Sequence, residues 1–582
     1  MNHTYYLATT GLTKFWDTNV SVHTLGDWCM ENEMPNNLKI INQPSLWSTS
    51  KEYSEAIETV KTYYEKILIS LSEFLNQYHD EHHNVEYWRI LIGSWLYRFV
   101  CSAYDRYFHI HYLSSKGLDI YTHILNHSDY RIPFDTTVFR ILIQSHMYNL
   151  QLISDILMHF DNIEKIVLPL QGRAIDKLYS AIINSVRLNS KTDMSPEISS
   201  ELGDVDILIG TFDIFNIEKI NIKNIKLRTY TTKPCLFDHN KIEKIERKNI
   251  KVNINESDKF LNIIFNIIPN YIPSIYIENY ETLNDSVSKN DIPAILINDN
   301  WHQDEVLKMI AAKVKDKRDV TVSYNPGGMT GIVLNEFVEN HEIATSDFIL
   351  NRVPLGRIAA KKCFLLPDKK DEIKKMDSAY ILYLSGGFHK PFISDFSSIP
   401  CGNTRIKNYF DDQFAFFESI KNDAKESITY KPHPYRENKE ATLKIQKQNI
   451  KICEYENLSL ALCHASFVIL DHVSTAIYDI LKSEIPFILF WNSDLWQLTD
   501  EAKKIFIDAN EYGIFHTEPE KAACYINEIT KDVFTWWNDP DRKKAVALMK
   551  ERLYTEDQNP EKYIERCIIK IVSNKGKMNN EI

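Results

Sequence analysis

Two short runs in the C-terminal half combine residue types suited to holding an anion. Lys431-Pro432-His433-Pro434 sets an ammonium and an imidazole beside two prolines. Proline fixes φ and removes a backbone donor, so such a loop has little conformational entropy left to lose on binding. Ser474-Thr475 begins 41 residues after His433 and opens the run STAIYDILK. If that run is helical, its first N–H groups and its dipole attract a phosphate, and the two hydroxyls add donors. The pair Gly386-Gly387, preceded by Ser385, lets the backbone approach a ligand closely. Each run also has a plain reading: a strand-ending loop with an exposed histidine, a helix capped by Ser474, an ordinary turn at the glycines. Together they point to a phosphate-bearing or nucleotide ligand, with Ser385, Gly386, Gly387, Lys431, His433, Pro434, Ser474 and Thr475 as its candidate contacts.

These loops need strands to carry them. Tyr380–Leu384 reads as a strand ending at Ser385, 427–430 as one ending at Lys431, and 467–470 as one ending at Asp471-His472-Val473-Ser474-Thr475. Helical stretches are expected over 411–423 and 474–482, and a further strand over 485–490. Strands alternating with helices imply an α/β fold with a doubly wound parallel sheet, in which ligands bind beyond the carboxyl ends of the strands. Three candidate loops then face one cleft.

The N-terminal half shows the same rhythm with insertions. Tyr5–Ala8, Val205–Ile209, 292–298 and 320–324 read as strands, the last ending at Asn325-Pro326-Gly327-Gly328, and 304–315 as a helix. Residues 50 to about 160 recur at helical spacing (Tyr53, Ala56, Ile57, Val60, Tyr64, Ile67, Leu68, Leu71) and predict a helical insertion. An irregular insertion is expected over 201–290, and the lysine-rich run 353–377 reads as a linker. The expected division is an acceptor-side domain over 1–375, a nucleotide-binding domain over 376–530 and helices over 531–582 that pack back on the body.

Transfer to a hydroxyl needs a base if the reaction inverts. Asp17 and Glu342 are the favoured candidates, with His433 as a third group able to act at the reacting centre; helix capping and solvent exposure are the plain readings of the two carboxylates. Thr10, Asn325, Gly327, Gly328 and Arg89 are candidates for the acceptor side, although Arg89 and Arg106 also read as partners of Glu86 or Asp105. Asp204-Val205-Asp206 has the form of a metal-binding pair, yet inside a strand it reads as a solvated face. No metal or other cofactor is expected.

The 582 residues, 44% hydrophobic and 25% charged, suffice for two or three packed domains. Sixty-seven basic and 79 acidic residues leave a net charge of 67 − 79 = −12, which argues against a general nucleic-acid binder. Nine scattered cysteines without a C-x-x-C pair read as reduced thiols. No apolar run approaches the roughly 18 residues of a membrane span, and the start MNHTYYLATT lacks the build of a secretory signal. The expected location is the cytoplasm, with peripheral contact at the inner membrane face left open.

Lys431-Pro432-His433-Pro434 followed by Ser474-Thr475 resembles the His-Pro and Ser-Ser/Thr motifs of bacterial GT-B glycosyltransferases that use CMP-activated ulosonic acids, the sialyl- and Kdo-transferases. The resemblance implies two Rossmann-type domains facing a cleft, with the His-Pro loop at the CMP moiety and the hydroxyl pair at its phosphate. Related spacing occurs in CDP-glycerol polymer transferases. Leu7-Ala8-Thr9-Thr10, Phe15-Trp16-Asp17, Leu25-Gly26-Asp27-Trp28-Cys29, Tyr87–Gly93 and Tyr104–Tyr107 are similar to a transferase family of bacterial O-antigen and surface-polysaccharide gene clusters. That second resemblance implies a place in lipopolysaccharide or capsule assembly more than a reaction. Taken with the first, it implies a glycosyltransferase moving a nonulosonic or ulosonic acid from a CMP-linked donor to a glycan or lipid-linked oligosaccharide, and no essential metal is expected. Where that family shows Gln-His-Gly-Gly, this chain has Asn325-Pro326-Gly327-Gly328. The departure keeps an inactive assembly protein in view beside a CDP-glycerol-type phosphotransferase.

Overall fold

The computed structural model describes residues 5–30, 38–168, 205–210, 222, 225–229, 247, 250, 252, 257–288, 292–298, 304–325, 327, 329–334, 337–351, 362–365, 368–369, 380–388, 392–393, 395–396, 399–434, 437–553, 555–557 and 559–578. Their strands form three large sheets, parallel throughout. The first holds β1 (Tyr5–Ala8), β2 (Ser21–Thr24), β3 (Ile40–Ile41), β4 (Ile120–Ile124) and β5 (Glu164–Val167) in the order β3-β2-β1-β4-β5. The second holds β6 (Val205–Ile209), β7 (Ile225–Thr229), β8 (Ile295–Asn298), β9 (Val320–Asn325), β10 (Phe348–Asn351) and β11 (Lys362–Leu365) in the order β11-β10-β9-β8-β6-β7. A two-residue strand, β12 (Asp368–Lys369), follows. The third sheet comprises β13 (Tyr380–Leu384), β14 (Ile428–Lys431), β15 (Lys451–Ile452), β16 (Ala465–Leu470), β17 (Phe487–Phe490) and β18 (Phe515–His516), ordered β15-β14-β13-β16-β17-β18. Every residue of β14 and β17 is buried, as expected where helices cover both faces of a parallel sheet.

The α/β class therefore holds, with one sheet more than a two-Rossmann arrangement has. The region 50–160 is only partly the helical insertion expected of it. Helices α1 (Ser50–His79) and α2 (Val85–Ser114) each run about 45 Å, but the chain then returns to the first sheet as β4, beside β1. A capping box between Thr49 and Glu52 starts α1, and the Asn84 side chain starts α2. Helix α2 is buried nearly all round because α1 lies on one side and the helix Glu305–Asp316 on another. Most of the expected linker 353–377 lies outside the described residues, yet Lys362–Leu365 within it is a strand paired in register with β10. Much of the irregular insertion 201–290 is likewise outside them, and β6 and β7 within it are regular parallel partners.

Three more helices position the site. They are α3 (Phe337–Thr345), α4 (Asn403–Ser419), which starts eight residues before the expected 411, and α5 (Ala476–Ser483). Near the end of the chain, β19 (Glu556–Asp557) pairs with β12. Helix α6 (Pro560–Met578) then returns to the second sheet, burying Ile564, Cys567, Ile568 and Ile571 against Ile207, Ile295, Val322 and Leu350, and Lys575 pairs with Asp319 at 2.7 Å. The second and third sheets are stitched together beside the β9 loop. The Thr499 N–H donates to the Ile332 carbonyl (2.9 Å) and the Leu334 N–H to the Gln497 carbonyl (2.8 Å). Among the described residues no helix is long and apolar enough to cross a membrane.

Candidate functional site

In the third sheet the chain leaves β13 for β14 on one side, whereas β16 leads to β17 on the other. The loops after β13 and β16 thus diverge, opening the crevice in which such sheets bind ligands. A cavity of about 340 Å³ lies there, within the range of ligand sites. Gly386 and Gly387 line it from the β13 loop, His433 from the β14 loop, and His472, Val473, Ser474 and Thr475 from the β16 loop. Gly327, Met329, Thr330 and Val338 face them from beyond β9, and Phe388, Ile399 and Trp496 complete the wall. His433, Ser474, Thr475 and the glycine pair, all inferred from sequence, therefore share one cavity that spans the second and third sheets. The described lining contains two titratable side chains, both histidines.

Helix α5 starts at the cavity. Thr475 is exposed and makes no capping bond, and the Ser474 hydroxyl takes only a long 3.4 Å bond from the Ala476 N–H. Ser474 is thus a poor cap, and both hydroxyls lie beside a helix start whose N–H groups favour an anion. Gly386 is closely approached: a Cβ there would sit 3.1 Å from the Phe388 ring, 3.2 Å from His472 Cγ and 3.2 Å from the Tyr409 hydroxyl, so a side chain would make these neighbours give by a few tenths of an ångström.

Behind the loops lies a buried polar network that places Asp471 and His472. The Asp471 carboxylate accepts from the Tyr383 hydroxyl (2.8 Å), the Tyr409 hydroxyl (2.7 Å) and Gln413 Nε2 (2.6 Å), and stands 2.8 Å from His472 Nδ1. Burial, reinforced by the Asp471 charge, drives the Tyr383 and Tyr409 phenols well above the usual range, so both remain donors. Tyr409 also accepts from the Gly386 N–H at 2.7 Å, which ties the glycine loop to the same network. The sequence marked this loop by its place after a strand but attached no role to Asp471 or His472.

Other candidates lie elsewhere. Lys431 does not face the cavity: its Nζ donates to the Tyr455 carbonyl (2.5 Å) and the Glu456 carbonyl (2.9 Å), and burial pulls its pKa below the ordinary ammonium value. Ser385 is buried behind the glycine loop, where its Oγ accepts from Gln413 Nε2 at 2.8 Å; Pro434 is exposed outside the lining. Asp17 belongs to the first sheet's rim. The Tyr121 hydroxyl, 2.5 Å away, holds its carboxyl below the usual range, helped by Asn19, so it is a weakened base. Glu342 is buried on α3 and does not line the cavity. Thr10 is buried, its carbonyl accepting from Trp16 Nε1. Arg89 is held by both Glu65 oxygens at 2.6 and 2.7 Å, rather than by Glu86 or Asp105, whereas Arg106 does pair with Asp105 at 2.7 Å. Gly327 lines the cavity; the Asn325 side chain and Gly328 lie outside the described residues. Asp204 is outside them too, and Asp206 is taken up by Arg228 at 2.8 and 2.5 Å.

The model of a family described as LIC12162 family transferase matches residues 5–568. No curated protein is a significant match. Among solved structures, a protein assigned as a UDP-N-acetylglucosamine 2-epimerase from Listeria monocytogenes is 11% identical, with a TM-score of 0.32 over 53% of this chain and 85% of that one. MurG of Acinetobacter baumannii is 10% identical, with a TM-score of 0.30 over 50% of this chain and 78% of that one. Arabidopsis thaliana UGT89C1, solved with quercetin, is 9% identical, with a TM-score of 0.31 over 67% of this chain and 94% of that one. Likeness this distant leaves the reaction to the chemistry of the site.

Proposed function

The chain belongs to the LIC12162 family of transferases, and from that premise we propose that it is a glycosyltransferase whose donor is a CMP-linked nonulosonic or ulosonic acid bound in the cavity between the second and third sheets. The observation that carries this reading is the meeting of His433, Ser474 and Thr475 with the Gly386-Gly387 backbone around one cavity. The phosphate lies against the start of α5, where amide N–H groups and two hydroxyls offset its charge without a metal. The cytidine lies toward His433, whose proline-flanked loop needs little ordering on binding. The acceptor, a glycan or lipid-linked oligosaccharide of a bacterial surface polysaccharide at the inner membrane face, enters past Gly327, Met329 and Thr330. As the glycosyl bond to CMP breaks, negative charge grows on the phosphate, and donors already aimed at it lower the barrier because they need no reorganisation.

The protein incubated with a CMP-linked nonulosonic acid and an oligosaccharide acceptor is expected to release CMP and incorporate the sugar. Incorporation of phosphate from CDP-glycerol instead would replace this reading with a phosphotransferase. Turnover of neither donor would make the chain an inactive assembly protein.

A further inference from the structure

His472 lines the cavity, and Asp471 lies buried directly behind it. An ionised carboxylate offers about four lone-pair sites, and Asp471 has four donors within 2.8 Å: Tyr383, Tyr409, Gln413 and His472 Nδ1. A carboxylate so surrounded acts only as an acceptor, so Nδ1 carries the ring proton and the tautomer is fixed. The variable atom is then Nε2. It makes no hydrogen bond among the described residues, while the ring lines the cavity in the same loop as Ser474 and Thr475.

We propose that His472 is the proton-carrying contact to the donor's phosphate: Nε2 takes up a proton as the anion binds, and Asp471 is the positioning residue that keeps this atom turned toward it. The proposal rests on the nucleotide reading above. Its physical basis is linkage, because an imidazolium between a fixed carboxylate and a bound phosphate is favoured over the neutral ring. The resulting Nε2–H faces the phosphate on which charge grows as the sugar departs. It also supplies the cation that Lys431 does not.

Other groups around the ring are few. Tyr409 reaches Asp471 from α4, and the Trp496 ring lies 6.4 Å away, centroid to centroid, on the loop after β17. The Gly386 backbone packs on the ring, and His433 faces the same cavity from the β14 loop. Asp412, also on α4, shares a small void with Asp471, and burial above all pushes its carboxyl up to about 6. His433 is therefore the rival carrier, and Asp412 is already ionised at pH 8.

Calorimetric titration of the full-length protein with CMP, at pH 8 in buffers of different ionisation enthalpy, measures the protons exchanged on binding. Wild type is expected to take up protons, and both His472→Gln and His472→Phe to lose that uptake while binding CMP more weakly. His472→Gln, whose amide can still donate to Asp471, is expected to keep the melting temperature, whereas His472→Phe leaves the buried carboxylate one donor short and melts lower. His433→Gln is expected to keep the uptake. CMP binding without uptake in wild type overturns the inference and leaves the nucleotide reading standing. Uptake that survives in both His472 variants but disappears in His433→Gln moves the proton to His433 and also overturns it. Absence of CMP binding to wild type overturns both.

Discussion

His433 enters the cavity between two prolines, and its loop is half-buried rather than packed into a core. Its removal should therefore cost binding and not folding. A hydrogen bond between neutral groups contributes about 0.5 to 1.5 kcal/mol, so His433→Ala is expected to weaken CMP binding about 2- to 10-fold with the melting temperature unchanged, as checked by calorimetry beside a melting curve. Residues of this kind were legible because their signal is local: a strand end, a fixed φ, a helix start. Lys431 was not, because its ammonium is claimed by the carbonyls of Tyr455 and Glu456, which come from beyond the next helix and strand. The Asp471 network was invisible for the same reason, since Tyr383, Tyr409 and Gln413 come from a different strand and a different helix.

At the scale of elements, β13, β16 and β17 read clearly because a strand covered on both faces leaves a continuous apolar run. Helix α4 did not. Its first turn is polar, and its cap residue Gly402 has φ 77° and no side chain to bond the helix start. The donor is satisfied instead from the short 3-10 helix after β2, where the Asp27 carboxylate accepts from the Thr404 N–H at 2.7 Å. Helix α6 shows how far an element can act from its neighbours in sequence. Its apolar stripe closes the second sheet, so it stabilises strands more than 200 residues upstream. Ile568 is fully buried there, and Ile568→Ala is expected to cost about 2 to 5 kcal/mol of stability in urea denaturation, without altering the affinity of folded protein for CMP. A change below 1 kcal/mol would mean that α6 is not part of the folded unit.

Across the whole molecule, the helical layer between the sheets buries charge. Asp135, Asp155 and Asp304 are pushed up to about 6, each chiefly by burial. The sign follows from linkage. A carboxyl with a raised folded-state value binds more protons folded than unfolded, so its contribution is fully present below pH about 4 and is lost as pH rises through about 6. Asp155 accepts from Asn270 and Tyr271 at 3.1 and 3.0 Å, which offsets only part of its burial. Relative to Asp155→Asn, wild type is expected to lose stability between pH 4 and pH 6.5 in chemical denaturation; a pH-independent difference would contradict this. The third sheet was legible in outline because its strands follow one another closely. The duplication of sheets in the N-terminal half was not, because β1 and β4 are separated by two long helices and pair only in three dimensions. What unites these scales is the cavity where the second and third sheets meet, and a crystal structure of the protein grown with CMP tests it most directly. The account predicts the phosphate at the Ser474-Thr475 end of α5 with the nucleoside toward His433. Ordered CMP bound elsewhere, or this cavity empty at a saturating concentration, would contradict it.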